Sequence, residues 1–131
     1  MHELAISQGV LELLQAEASA ADIGSIQRVV LEVGTMAGVE LESLRFCFDA
    51  VTRRTLAQGA VLEIVSIPAR GVCRHCGTNF FMKRLLEACP DCGAYGGQLL
   101  QGTELRVQSF EGEASNPGSE IGDSQQEQRM R

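Results

Sequence analysis

Four cysteines constrain this chain more than any other feature. They stand in two pairs, "CRHCG" and "CPDCG", spaced Cys73-x2-Cys76-x12-Cys89-x2-Cys92. Two residues between the members of a pair let one tight turn aim both sulfurs at a common point. Two such turns facing each other build the tetrahedral S4 set that zinc accepts. Gly77 and Gly93 follow the pairs and can take positive φ, so that the backbone curls and its amide N–H groups point at the sulfurs. Pro90 stiffens the second turn. Protein sulfur would fill all four places, so the expected ion is a structural clamp with no position for a substrate. A rubredoxin-like iron site uses similar knuckles, and thiolates alone do not fix the metal. Two separate dithiol redox pairs are a further reading, but those belong near helix N-termini, and these segments read as turns. A module this short would hardly order itself without an ion.

The flanking sequence alternates helical and strand periodicity. Leu4 to about Ala20 reads as a helix, with Leu4, Val10, Leu11, Leu14 and Ala18 near one face. "ADIGS" breaks it. "IQRVVLEVG" (26–34) alternates Val29, Leu31 and Val33 with Arg28 and Glu32, the pattern of a half-covered strand. A second helix is expected over 40–56, carrying Leu41, Leu44, Phe48 and Val51 at helical spacing. Glu40 and Glu42 fall in its first turn, and Arg53 and Arg54 in its last. "AVLEIVSIP" (60–68) and "TELRVQSFE" (103–111) have strand composition, the former stopped by Pro68. The fold class read from this order is α+β: two helices packed on a short three-stranded sheet, with a four-cysteine zinc-ribbon-like module inserted before the last strand. The expected bounds are 1–70 plus 98–111 for the α/β domain and 71–97 for the module. The polar tail 112–131 lacks periodic apolar residues and is expected to be disordered.

Charge narrows the function classes. The 131 residues carry a formal charge of −6, whereas a protein that grips a nucleic acid backbone usually shows a basic stripe. The rival reading, a zinc-ribbon nucleic-acid-binding or adaptor protein, would use Arg74, His75, Lys83 and Arg84 with Phe80 and Phe81 as a stacking pair. Glu87, Asp91 and the overall charge oppose it. Attraction to anionic membranes is disfavoured for the same reason. No apolar run is long enough to span a bilayer, and Glu3, Glu12 and Glu17 interrupt any secretory signal. A cytoplasmic protein is the expectation. With two histidines and closed sulfur ligation, no nucleophile and base arrangement is visible, so no enzyme is expected. Cys47, near the apolar face of the second helix, reads as packing.

One histidine stands second in the chain, in "MHEL". The α-amine of Met1, the backbone nitrogen of His2 and its imidazole can chelate one ion in fused rings. The Glu3 amide, a carboxylate or a partner is left to complete the set. Tetragonal nitrogen sets suit Cu(II) or Ni(II) better than zinc. Against this, a histidine at position two is often without meaning, and a cation gains nothing from the positive end of the following helix.

Three stretches together carry a resemblance: "MHELAISQGVLELL", "RVVLEVGTMAGVELESLRFCFD", and the two knuckles followed by "GTELRVQSFE". Over roughly residues 1–111, in this order, the chain resembles the HypA/HybF family of nickel metallochaperones. The resemblance implies a role in maturation of [NiFe] hydrogenase, in some organisms also of urease. It implies nickel at Met1, His2 and Glu3, with Glu40 as a neighbour, and zinc at Cys73, Cys76, Cys89 and Cys92. It implies two partners, a HypB-type GTPase and the hydrogenase large subunit. The tail after Glu111 departs from the family core and receives no role.

Overall fold

The computed structural model describes residues 2–84, 86–115 and 125–129. Their order is α1 (Glu3–Ala20), β1 (Ile23–Gly34), α2 (Leu41–Val51), β2 (Val61–Ile67), β3 (Arg70–Val72), β4 (Asn79–Phe81), β5 (Gln98–Gln101), β6 (Leu105–Ala114) and β7 (Gln125–Arg129). The main sheet runs β2-β1-β6-β7, and a small second sheet runs β4-β3-β5. The expected α+β class therefore holds. The three strands read from the sequence form the body of the main sheet.

Helix α1 buries Glu3, Ser7, Leu14 and Ala18, positions spaced so that successive turns carry them down one side. Leu4, expected on that side, is 52% exposed, and Glu3 takes the inward place. Helix α2 turns Leu44 and Phe48 inward and packs against α1. It ends at Val51, five residues short of expectation. Thr52 still donates its amide and its hydroxyl to the Phe48 carbonyl, but Thr55 then bonds back to Thr52 and Arg54 adopts φ 64°, a left-handed step that ends the ladder. Arg53 and Arg54 consequently lie beyond the helix and do not complement its dipole.

Strand β1 begins three residues earlier than read, because Asp22 turns the chain at φ 63° and Ile23 and Ile26 are already buried. Its middle and end, Val29, Val30, Leu31 and Val33, are buried without alternation, as in a strand covered on both faces. Arg28 on β1 holds Glu63 on β2 and Glu111 on β6, tying three neighbouring strands side by side. Val107 and Phe110 of β6 complete the interior.

Two of the expected bounds change. Strand β6 continues through Gly112 to Ala114, and Gln125–Arg129 pairs antiparallel with it, from Ser109↔Arg129 to Glu113↔Gln125. Backbone pairing does not require an apolar repeat, so composition carried no sign of it. Residues 116–124, 130 and 131 of the expected tail lie outside the described residues. The described residues divide into two compact units, one lying within 1–31, 39–64 and 106–131, the other within 32–38 and 65–105. The second is wider than the 71–97 module read from composition, because β3 and β5 flank the knuckles as a paired frame. It has its own core of Ala69, Cys73, Phe80, Met82 and Cys89, with Met36, Ala94 and Leu99 packed against it.

Candidate metal centres

The two cysteine turns are built alike. In the first, the Cys73 amide donates to the Thr78 carbonyl and the Gly77 amide to the Cys73 carbonyl; in the second, Cys89 donates to Ala94 and Gly93 to Cys89. All four of these bonds measure 2.9 Å. Gly77 and Gly93 both stand at φ 79°, the left-handed conformation that a side chain would strain. Each turn thereby exposes amide N–H groups to sulfur. His75 and Cys76 donate to Cys73 Sγ at 3.3 and 3.4 Å, and Asp91 donates to Cys89 Sγ at 3.3 Å.

The four sulfurs converge. Cys73 and Cys92 are 3.6 Å apart, Cys76 and Cys89 are 3.7 Å apart, and all four lie within 4.8 Å of one another. A zinc ion with four thiolates at about 2.3 Å requires sulfur separations of about 3.8 Å. The donor set and its dimensions fit that ion. Cys73 and Cys89 are buried and Cys76 and Cys92 exposed.

Charge favours a cation there as well. The amides of Cys76 and His75 bring the Cys73 thiol down to about 6 in spite of its burial. Thr78, through its hydroxyl and its amide, lowers Cys76. At Cys92 the Ala94 amide favours the thiolate, but partial loss of water around its sulfur and the neighbouring sulfurs of Cys73, Cys76 and Cys89 push it up to about 12. Four neighbouring sulfurs cannot all ionise unless a positive ion lies among them.

Sequence reading missed two residues beside the sulfurs. Thr78 Oγ1 donates to Asp91 Oδ2 at 2.7 Å and lies 3.3 Å from Cys76 Sγ. The signal was positional: Thr78 follows the first glycine, and Asp91 sits within the second pair.

At the other candidate centre, His2 is exposed and forms the N-cap of α1, with no side-chain capping bond. The Ile6 amide donates to the His2 carbonyl at 2.9 Å and opens the helical ladder. Glu3 turns inward, 8% exposed, and its Oε2 accepts the Glu40 amide at 2.9 Å. Glu40 caps α2, accepting the Ser43 amide on Oε1. The α-amino group and then the Glu40 amide hold the Glu3 carboxyl down to about 2. The Ser43 amide and hydroxyl likewise lower Glu40. The structure thus joins the starts of α1 and α2 through Glu3 and Glu40. Met1 lies outside the described residues. Among the described residues the four cysteines form the only group of three or more metal-ligating side chains with their donor atoms together.

The rival stacking pair does not form a platform. Phe80 is buried in the core of the second unit and Phe81 is exposed, since neighbours on a strand face opposite ways.

Comparison with known proteins then bears on the whole chain. The family model described as hydrogenase/urease nickel incorporation, metallochaperone, HypA matches residues 1–112. The chain belongs to the HypA family. A HypA hydrogenase maturation factor from Azotobacter vinelandii is 47% identical over 111 residues, covering 85% of this chain and 98% of that protein. One from Geobacter sulfurreducens is 44% identical over the same length and shares of each chain. The solution structure of the Ni metallochaperone HypA from Helicobacter pylori superposes with a TM-score of 0.65 at 25% identity, over 87% of this chain and 99% of that one. A second HypA solution structure, at TM-score 0.66 and 23% identity over 88% of this chain and 98% of that one, shares the fold. HypA is a family of metallochaperones for nickel incorporation, and hydrogenase maturation is the work its named members share. Among the described residues no helix is long and apolar enough to cross a membrane.

Proposed function

We propose that this HypA protein takes up Ni(II) at its amino terminus and passes it to the maturing [NiFe] hydrogenase, with urease as a second client where the cell makes it. The proposed ligands are the α-amine of Met1 and the backbone and imidazole nitrogens of His2, with Glu3 beside them and Glu40 behind. A HypB-type GTPase and the hydrogenase large subunit are the proposed partners, and the cytoplasm the proposed location. The protein acts by binding and transfer, without turnover of its own. Zinc in the four-cysteine cage is proposed to be permanent and structural.

The single observation that carries the nickel reading is an exposed imidazole followed directly by a carboxylate anchored between two helix starts. Helix N-termini repel cations, so a cation site at a pair of them needs anionic ligands. Glu3 remains ionised down to about pH 2, and loss of the amide proton on binding adds further negative charge. The helical ladder opens at Ile6, so a metal on the His2 nitrogen need not break an intrahelical bond. Exposure leaves room for a partner's ligand to attach before the old ones leave. Nickel then moves by exchange and is never released free.

Calorimetric titration of zinc-loaded protein tests this. One nickel per chain is expected for the unaltered protein and none for His2→Ala, with zinc content and the far-ultraviolet spectrum unchanged. Acetylation of the α-amine is expected to weaken nickel at least tenfold. Full binding by His2→Ala overturns the assignment. Because the nitrogen ligands must shed protons, affinity should also fall steeply on acidification.

A further inference from the structure

The two cysteine turns meet through their sulfurs, and beside the sulfurs a second link runs between them. Thr78 belongs to the first turn: its carbonyl closes that turn on the Cys73 amide. Its hydroxyl crosses to the second turn and donates to Asp91 Oδ2 at 2.7 Å. Asp91 in its turn donates its amide to Cys89 Sγ at 3.3 Å. On the other side the Thr78 oxygen stands 3.3 Å from Cys76 Sγ. Cys76 and Cys89 themselves are 3.7 Å apart. Sulfur, hydroxyl, carboxylate, amide and sulfur thus form a closed ring around one edge of the tetrahedron.

We infer that Thr78 and Asp91 are positioning residues for the metal: a latch that holds the two knuckles at coordinating distance and keeps Cys76 from swinging out. This rests on the reading of the four cysteines as a zinc site. Cys76 is a sulfur that needs such a latch. It is exposed, whereas Cys73 is buried under two amide donors and Cys89 is buried under one. An exposed thiolate is the one from which a chelator or competing metal can begin to pull the ion away. Cys92 is exposed as well, but it is Cys76 that the Thr78 oxygen stands beside. With zinc bound, Cys76 is a thiolate and carries no proton, so the Thr78 hydroxyl has one proton and two anionic neighbours. Turned to Asp91, as it stands here, it ties the two knuckles together; turned to sulfur it would spread the thiolate charge within the first knuckle and give up the link to the second.

The experiment measures zinc release from the full-length protein to an excess of a chromophoric chelator. It compares unaltered protein with Thr78→Val, Thr78→Ser, Asp91→Ala and the double variant Thr78→Val/Asp91→Ala. Loss of a hydrogen-bonding partner behind a metal ligand commonly costs about 10–100-fold in affinity, and the exposed setting places this one near tenfold. Release should therefore quicken about tenfold in Thr78→Val and in Asp91→Ala. The double variant should be no faster than either, because both lose the same contact. Thr78→Ser, which keeps the hydroxyl, should release zinc at the original rate. Equal rates for Thr78→Val and the unaltered protein overturn the latch, as does an additive double variant. A total lack of zinc in the unaltered protein overturns the site itself, a separate failure seen by metal analysis before any variant is made.

Discussion

Glu3 shows how one carboxylate can serve two ends. A glutamate at the first position of a helix favours the dipole in any case, yet here it is buried and accepts the Glu40 amide from the second helix. Its folded value, about 2, lies below the ordinary 4.5. A depressed carboxyl contributes stability above its unfolded value and loses it as pH falls through the folded one. Between pH 4.5 and 2 the protein should thus weaken. Glu3→Gln, whose carbonyl can still accept the Glu40 amide, should show a flatter profile over that interval. Chemical denaturation at a series of pH values checks this, and parallel curves for the two proteins refute it. The same substitution should weaken nickel without affecting zinc. The chemical shift of the Glu40 amide then gives a direct signal of metal arrival, because any ion that draws on the Glu3 carboxylate alters the bond that this amide makes.

At the scale of elements, the tightest fit is a backbone contact. A Cβ on Gly34, at the end of β1, would lie 2.0 Å from the Gly102 carbonyl oxygen and 2.6 Å from the Thr103 nitrogen. Gly102 itself stands at φ 123°, with Ala69 2.5 Å from where its own Cβ would be. Neither neighbour is a flexible side chain that could yield. Gly34→Ala should therefore cost at least the roughly 1–3 kcal/mol of an overpacked core, read as a lower denaturation midpoint; an unchanged midpoint would mean that the strand end relaxes freely. Nothing in the sequence marked this contact, since "EVGTMAG" reads as a strand running into a loop. Other parts were open to reading. The cysteine spacing alone brought four sulfurs together, and the periodicities of Leu14, Ala18, Leu44 and Phe48 placed both helices. Errors arose at the helix ends. Helix α2 stops where Arg54 turns left-handed, which leaves no trace in hydrophobic spacing, and Leu4 yielded its inward place to an acid. Strands β3, β4 and β5 are three or four residues long, too short for alternation to register. At the chain start, sequence could name His2 and Glu3, but not the burial that makes Glu3 a bridge.

The whole molecule divides its stability between two units with different needs. The first encloses Leu14, Ala18, Val29, Leu44, Phe48 and Phe110, an apolar interior that requires no ion. The second has a small core in which two of the buried members are cysteines, so its order is expected to depend on what neutralises the sulfurs. Stripping zinc with a strong chelator should accordingly release the amides of Cys73, Gly77, Cys89 and Gly93 to solvent exchange, while those of α1 and β1 stay protected. Hydrogen exchange read by mass spectrometry or NMR decides it. Protection retained by the four cysteine-turn amides would show that the fold of the second unit does not depend on its metal, and uniform loss would show one cooperative body where two are described.

The duplicate construction of the cysteine turns carries a kinetic consequence. Each is closed by hydrogen bonds that span six residues, from Cys73 to Thr78 and from Cys89 to Ala94, so each can close around an ion by itself as a claw with two sulfur tips. An arriving ion is seized first by one claw, and the cage shuts only when the other swings in from thirteen residues along the chain. Flooding the emptied protein with metal should then be counterproductive, because each claw can grasp an ion of its own and neither is left to complete its neighbour.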